Sequence, residues 1–254
     1  MLSRLLRQFL FALLHLILNF IVGAQNVYCR YWLKKHSLQD YEVTKTDLKL
    51  IVKHIPKLSK QPKHLVVLSD SDYHSIDDLA RMVIWSLVAG IPFLSFYDVS
   101  GQLSYQEEKL FNAVEKNKKG VPGCIKWSKK PDLNGYTNGI PAHKIVVNIF
   151  SCQNGRSTIT QCIKEMCEEK IPYNRKSDQI TAQEFDDVIS AVYPSIPDPD
   201  LALFSGPVCC THGLLPWQIR LTEFISLSVD YNLSVESFVG AMYKYSKCDQ
   251  RFGT

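Results

Sequence analysis

Between residues 64 and 205 the chain alternates short apolar runs with amphipathic segments, and this alternation admits very few architectures. His64-Leu65-Val66-Val67-Leu68-Ser69-Asp70 is apolar at successive positions, the mark of a strand covered on both faces. Ser75 then stands three residues before Asp78 in capping-box spacing. Leu79, Met82, Val83 and Leu87 recur at helical intervals until Gly90 stops the run. Residues 91–99 predict a second strand, 104–118 a helix, 144–150 a third strand and 157–170 another helix. Residues 181–193 read as helical, and the strand beginning at Asp200 runs to a Ser205-Gly206 turn. Strands that alternate with helices make an α/β fold, a mainly parallel sheet flanked by helices. Residues 116–138, rich in Lys, Gly and Pro, read as a long basic surface loop.

Ahead of this region, residues 5–22 are the most hydrophobic stretch, centred on Phe9-Leu10-Phe11-Ala12-Leu13-Leu14. On a 3.6-residue helix Arg4, Gln8, His15, Asn19 and Asn26 share one stripe. Three roles fit. A tilted membrane-spanning helix turns the stripe toward a partner helix, an in-plane anchor turns it toward water, and a signal peptide is cleaved near Val22-Gly23-Ala24. We assign residues 1–27 to a membrane-anchor helix. Arg30, Lys34 and Lys35 outnumber Arg4 and Arg7, which favours the cytosolic side for the C-terminal domain. Residues 28–62 read as a basic connector with a short amphipathic helix over 46–55, its apolar side formed by Leu48, Ile51, Val52 and Ile55. Pro56 ends that helix, and residues 57–63 read as a solvated linker whose cations also suit anionic lipid head groups. Residues 63–254 form the remaining domain.

Composition excludes several classes. Hydrophobic residues at 46% and charged residues at 21% describe a globular domain, and a net charge of +4 is too small to argue for nucleic acid. The eight cysteines contain no Cys-x-x-Cys pair and no metal-ligand spacing, so they read as reduced thiols facing a cytosol-like compartment. The seven histidines show no paired spacing either, which argues against a metalloenzyme.

The sharpest chemical signal is at the chain end. Arg251 and Gly253 flank Phe252 in a terminal Arg-x-Gly, a pattern suited to a diphosphate. The guanidinium holds phosphate oxygens through two parallel hydrogen bonds, and a glycine lets its N–H approach the ligand closely. Before it come Phe204-Ser205-Gly206-Pro207, then Leu214-Leu215-Pro216-Trp217-Gln218, then Leu221-Thr222-Glu223-Phe224-Ile225. This order resembles the cis-prenyltransferase family, the enzymes that extend an allylic diphosphate with isopentenyl diphosphate. The resemblance spans roughly residues 64–254 and is strongest after Pro197. It implies an undecaprenyl-diphosphate-synthase-like fold with ligands beyond the carboxyl ends of the strands.

At those strand ends this sequence departs from the pattern of catalytic relatives. Their first strand ends in Asp-Gly-Asn-Gly-Arg-Trp, where the aspartate holds magnesium and the loop cradles the diphosphate. Here the same place reads Asp70-Ser71-Asp72-Tyr73-His74, without the glycines or the arginine. Asp72, Asp77 and Asp78 add negative charge where a diphosphate requires cations. Asp70 is a weak candidate magnesium ligand, or a polar residue leading into the next helix. After the second strand, Phe-Ser-x-Glu-Asn-Trp is replaced by Tyr97-Asp98-Val99-Ser100-Gly101. The late Arg-x-Ser-Gly-Glu is replaced by Leu203-Phe204-Ser205-Gly206-Pro207.

The resemblance carries Trp217, Gln218, Glu223 and Phe224 over as subunit-interface residues. It makes Arg251 and Gly253 a clamp that acts in trans, in a neighbouring active site. Loss of the phosphate-binding apparatus with retention of the tail implies a non-catalytic subunit of a heteromer making polyprenyl diphosphate for dolichol and protein glycosylation. The catalytic cis-prenyltransferase subunit is then the partner, binding Mg2+, isopentenyl diphosphate and farnesyl diphosphate, with the assembly tethered at the endoplasmic reticulum membrane. Two rivals remain: a self-sufficient homodimeric enzyme using Asp70, and a membrane receptor or lipid-trafficking adaptor in which the tail is dispensable.

Overall fold

In a computed structural model, which describes residues 2–37, 45–69, 74–127, 130–134, 143–168, 180–193, 195–206, 208–228 and 233–249, the apolar run after residue 63 forms strand β1 (His64–Ser69). It lies at the heart of a sheet, parallel to β2 (Phe93–Asp98) on one side and β6 (Leu201–Ser205) on the other. Covered on both faces, Leu65, Val66 and Val67 are wholly buried, which is why the run does not alternate. The full order is β4-β3-β5-β2-β1-β6-β7, with β3 (Cys124–Trp127), β4 (Lys130–Asn134), β5 (Lys144–Ser151) and β7 (Glu223–Ser228). Every pairing is parallel except β3 with β4. The mainly parallel sheet flanked by helices is the expected class.

Helix α1 (Leu2–Ser37) belongs to one compact unit, Met1–Tyr41, and everything else to a second, Glu42–Thr254. Within α1, Leu6–Ala24 is long and apolar enough to cross a membrane. Its large side chains are exposed, with Leu16 at 69% and Phe20 at 77%.

In the larger unit, α2 (Lys45–His54) continues into a short 3-10 turn over Ile55–Lys57. This helix, expected within a connector, is part of the core: Ile51 is fully buried, and α2 packs on α3 (Ile76–Ala89) and α8 (Val235–Ser246). Helix α3 opens on the expected capping box between Ser75 and Asp78 and closes on Gly90 in the left-handed region at φ 80°. Ten of its fourteen residues are buried, more than the single inner stripe that periodicity suggests. Helices α2 and α5 (Glu107–Lys118) cover its outer sides, and Trp85 meets Phe238 of α8 at a ring separation of 5.8 Å. The other helices among the described residues are α4 (Gln102–Tyr105), α6 (Arg156–Cys167) and α7 (Ala182–Val192).

The basic stretch read as a surface loop instead supplies two strands. Its residues form β3 and β4, and β3 adds in parallel to β5. Ile125 and Trp127 alternate inward along β3. The Trp127 indole donates to Glu107 Oε1 at 2.6 Å and its ring meets Phe111 edge-on at 5.7 Å. Two inward apolar residues in a strand of four carry too short a period to stand out among lysines.

Candidate functional site

The carboxyl ends of β1, β2 and β6 enclose a cavity of about 360 Å³. Leu68 and Ser69 of β1, Tyr97 and Asp98 of β2, and Phe204 and Ser205 of β6 supply its wall. His74, Val99 and Ser100, with Val208, Cys210 and His212 from the loop after β6, line the rest. This is where parallel sheets place ligands. Neither lysine nor arginine appears among the described residues that line it, and Arg156 is near enough for its charge to act on Tyr97.

Most of the polar groups present are engaged within the chain, while the buried Ser69 hydroxyl has no partner among the described residues. Asp98 is almost wholly buried. Its Oδ1 accepts from the Ser100 N–H at 2.9 Å and hydroxyl at 2.7 Å, and its Oδ2 accepts from the Leu103 N–H at 2.7 Å. The carboxylate therefore braces the turn into α4, with three of its roughly four acceptor sites used within the chain. His74 Nε2 lies 3.0 Å from the Ser205 hydroxyl. Tyr97 donates to the His212 carbonyl at 2.9 Å, and burial, with charge at neighbouring Cys152, pushes its phenol above the ordinary range. A Cβ on Gly155 would come within 2.3 Å of the Gly213 carbonyl oxygen, so that glycine permits the β6 loop to close against the start of α6. Among the described residues, no group of three His, Cys, Asp or Glu side chains converges. Magnesium takes carboxylate and phosphate oxygens in octahedral geometry, and the described wall does not fit it.

Of the three aspartates read as repelling a diphosphate, Asp78 is spoken for. It accepts from the Ser75 N–H and hydroxyl and pairs with the Arg81 guanidinium, so its charge is offset locally. Asp77 is exposed. Asp72 and Asp70 lie outside the described residues, and so do Arg251 and Gly253.

Of the four residues assigned to an interface, Trp217 and Gln218 precede the last strand and Glu223 and Phe224 begin it. The Trp217 indole donates to Asp186 Oδ1 at 2.8 Å, its ring meets Phe185 edge-on at 4.6 Å, and the Arg220 guanidinium lies over it. Gln218 opens a 3-10 turn, with its side-chain carbonyl oxygen buried and unpartnered. Glu223 begins β7, its N–H donating to the Asp200 carbonyl at 3.0 Å. Phe224 packs on the cluster of Val66, Tyr97, Ala202 and Leu214. Strand β7 pairs with β6 and forms the edge of the sheet among the described residues.

Known proteins agree with this geometry. No protein-family model matches the chain. It is 31% identical over 207 residues to the mouse (Mus musculus) dehydrodolichyl diphosphate synthase complex subunit Nus1, covering 78% of this chain and 68% of that protein. The human NUS1 subunit is 30% identical, with 77% and 68% covered. The fission yeast (Schizosaccharomyces pombe) subunit is 26% identical, with 80% and 81% covered. The chain belongs to the NUS1 family.

The fold of this NUS1-family chain recurs in solved prenyltransferases. Lavandulyl diphosphate synthase from Lavandula x intermedia superposes with a TM-score of 0.52 at 15% identity, covering 76% of this chain and 99% of that one. A probable undecaprenyl diphosphate synthase from Campylobacter jejuni gives 0.51 at 14% identity, over 76% and 100%. The NUS1-family sheet thus has the expected cis-prenyltransferase architecture.

One cluster in this NUS1-family chain escaped sequence reasoning. The backbone just before the terminal tail is held by Ser59 and Lys60, and Glu223 is near enough for its charge to raise the Cys248 thiol, second to burial itself. Nothing in local spacing links positions so far apart.

Proposed function

We propose that this protein is a non-catalytic subunit of a heteromeric dehydrodolichyl diphosphate synthase, inactive alone and required by a catalytic cis-prenyltransferase partner. The observation that carries this reading is the strand-end cavity, which keeps the family's location but has a described wall without cations and a carboxylate engaged in bracing a turn. Diphosphate transfer requires positioned cations and metal to neutralise developing charge. The partner supplies that apparatus: the magnesium-binding aspartate, the glycine-rich loop, and the sites for isopentenyl and farnesyl diphosphate.

This chain contributes the fold, the membrane helix and the terminal Arg251 and Gly253. The guanidinium and the Gly253 N–H hold the diphosphate, or order the metal site around it, from across the interface. Trp217, Gln218, Glu223 and Phe224 belong to that interface. The buried, unpartnered Gln218 oxygen and the open edge of β7 support this placement. In this reading the assembly is tethered at the endoplasmic reticulum membrane with the domain in the cytosol, and the apolar span Leu6–Ala24 supports the tether.

Two measurements test the reading. Each subunit, assayed alone and mixed, should form polyprenyl diphosphate when both are present; product from this protein alone would return the homodimeric enzyme. Arg251→Ala should lower turnover of the assembled complex by roughly 100-fold, on the scale of losing one transition-state donor, while co-purification persists. An unchanged rate favours the adaptor reading.

A further inference from the structure

The C-terminal tail leaves the domain from a point fixed by a distant part of the chain. The Ser59 hydroxyl donates to the Ser246 carbonyl at 2.6 Å, across 187 residues of sequence. The Lys60 ammonium donates to the Cys248 carbonyl and sits 4.5 Å from the centre of the Tyr245 ring. One turn earlier, His54 Nδ1 and the Tyr243 hydroxyl are 3.1 Å apart. Backbone bonds from Lys247 N–H to the Lys244 carbonyl and from Cys248 N–H to the Tyr245 carbonyl close the end of α8. These contacts reach beyond the helix to Cys248, three positions before Arg251.

That spacing has a mechanical meaning. Three residues span at most about 11 Å, so the Cys248 carbonyl is an anchor within that covalent reach of Arg251. Orientation is worth orders of magnitude in rate when a group must meet a reacting centre, because its freedom is removed beforehand. Stability of α8 alone does not require a cation at this place: the helix is buried through Phe238, Met242 and Tyr245, and its last turn closes on itself. Lys60 is half-buried and Ser59 exposed, yet both direct their donors at main-chain acceptors past or at the helix end. Charged donors to such acceptors are among the stronger hydrogen bonds.

We infer that Lys60, assisted by Ser59, is a positioning residue for the C-terminal tail, setting where Arg251 enters the partner's active site. The inference rests on the proposal that Arg251 acts there. Lys60→Met keeps the apolar stem over Tyr245 and removes the donor, Lys60→Arg restores a donor, and Ser59→Ala is a milder change on the same clasp. In the full-length complex with its catalytic subunit, Lys60→Met should lower kcat roughly tenfold, with assembly, melting temperature and the KM for isopentenyl diphosphate little changed. Lys60→Arg should recover most of the rate. Combined with Arg251→Ala, Lys60→Met should add no further loss, because both act through one contact.

The outcomes separate the two ideas. If Arg251→Ala is silent, the trans clamp itself is wrong. If Arg251→Ala is damaging while Lys60→Met is silent, or the two losses multiply, positioning by Lys60 is overturned and the clamp stands. Should Lys60→Met prevent assembly, Ser59→Ala decides by the same comparison.

Discussion

His64 is the most informative single residue in the sheet. It is fully buried, with Nδ1 2.6 Å from the Pro197 carbonyl and Nε2 2.7 Å from the Ser95 hydroxyl. A carbonyl can only accept, so Nδ1 carries the proton, and the neutral ring accepts at Nε2 from Ser95. Burial lowers its pKa from 6.5 to about 4, against the smaller opposing effects of the Pro197 bond and Asp200. The unfolded chain takes up the proton near pH 6.5 and the folded one only near pH 4. This contribution to stability is therefore intact above the upper value and declines as pH falls toward the lower one. Between pH 7 and pH 5 we expect a loss of about 2 kcal/mol from this group. Unfolding free energies at the two pH values, for the native chain and for His64→Gln, check this: the variant should be less stable at pH 7 but show a shallower decline. Equal slopes would mean that another group governs acid sensitivity. The identity of His64 is plain in the sequence, but its role as a neutral link between β1, β2 and the turn before β6 is not.

Helix α2 makes the corresponding point at the scale of an element. Its amphipathic spacing is legible, and so is the stop at Pro56, because both depend on neighbours within one turn. Its destination is not, since α2, with Ile51 fully buried, packs against α3 and α8, whose residues come later in the chain. Ile51→Ala should destabilise the larger unit by about 2–4 kcal/mol, as for other buried isoleucines. A denaturation midpoint unchanged from the native chain would return α2 to the basic connector. The hairpin β3–β4 is the opposite case. Tertiary addition to β5 converted a lysine-rich stretch with weak local preference into sheet.

For the whole molecule, the two units divide the labour. The exposed apolar surface of Leu6–Ala24 has no partner within its own unit's described residues that would bury it, with Phe9 at 64% and Phe11 at 64% exposure. Contiguous apolar surface of this extent marks a membrane or protein contact. Deleting residues 2–27 should move the protein from the vesicle-bound to the soluble fraction in a flotation assay, while the larger unit keeps its melting temperature. Retention on vesicles would assign membrane binding to the basic residues after α1. The cavity at the strand ends belongs to this scale too, because it exists only where β1, β2 and β6 converge.

By itself the sequence determined the strand–helix order over residues 64–118 and 144–205, the capping box at Ser75, the stop at Gly90 and the lack of phosphate-binding cations in the strand-end sequences. Each follows from residue type and spacing over a turn or a strand, where sterics and side-chain chemistry act locally. Only the tertiary structure decided that Asp98 braces a turn, that Asp78 is neutralised by Arg81, that α2 is core, and that Ser59 and Lys60 hold the root of the tail. Two of these, the packing of α2 and the contacts of Ser59 and Lys60, join distant segments of the chain. Even the short-range ones are settled by which groups packing removes from water, and no local pattern encodes that.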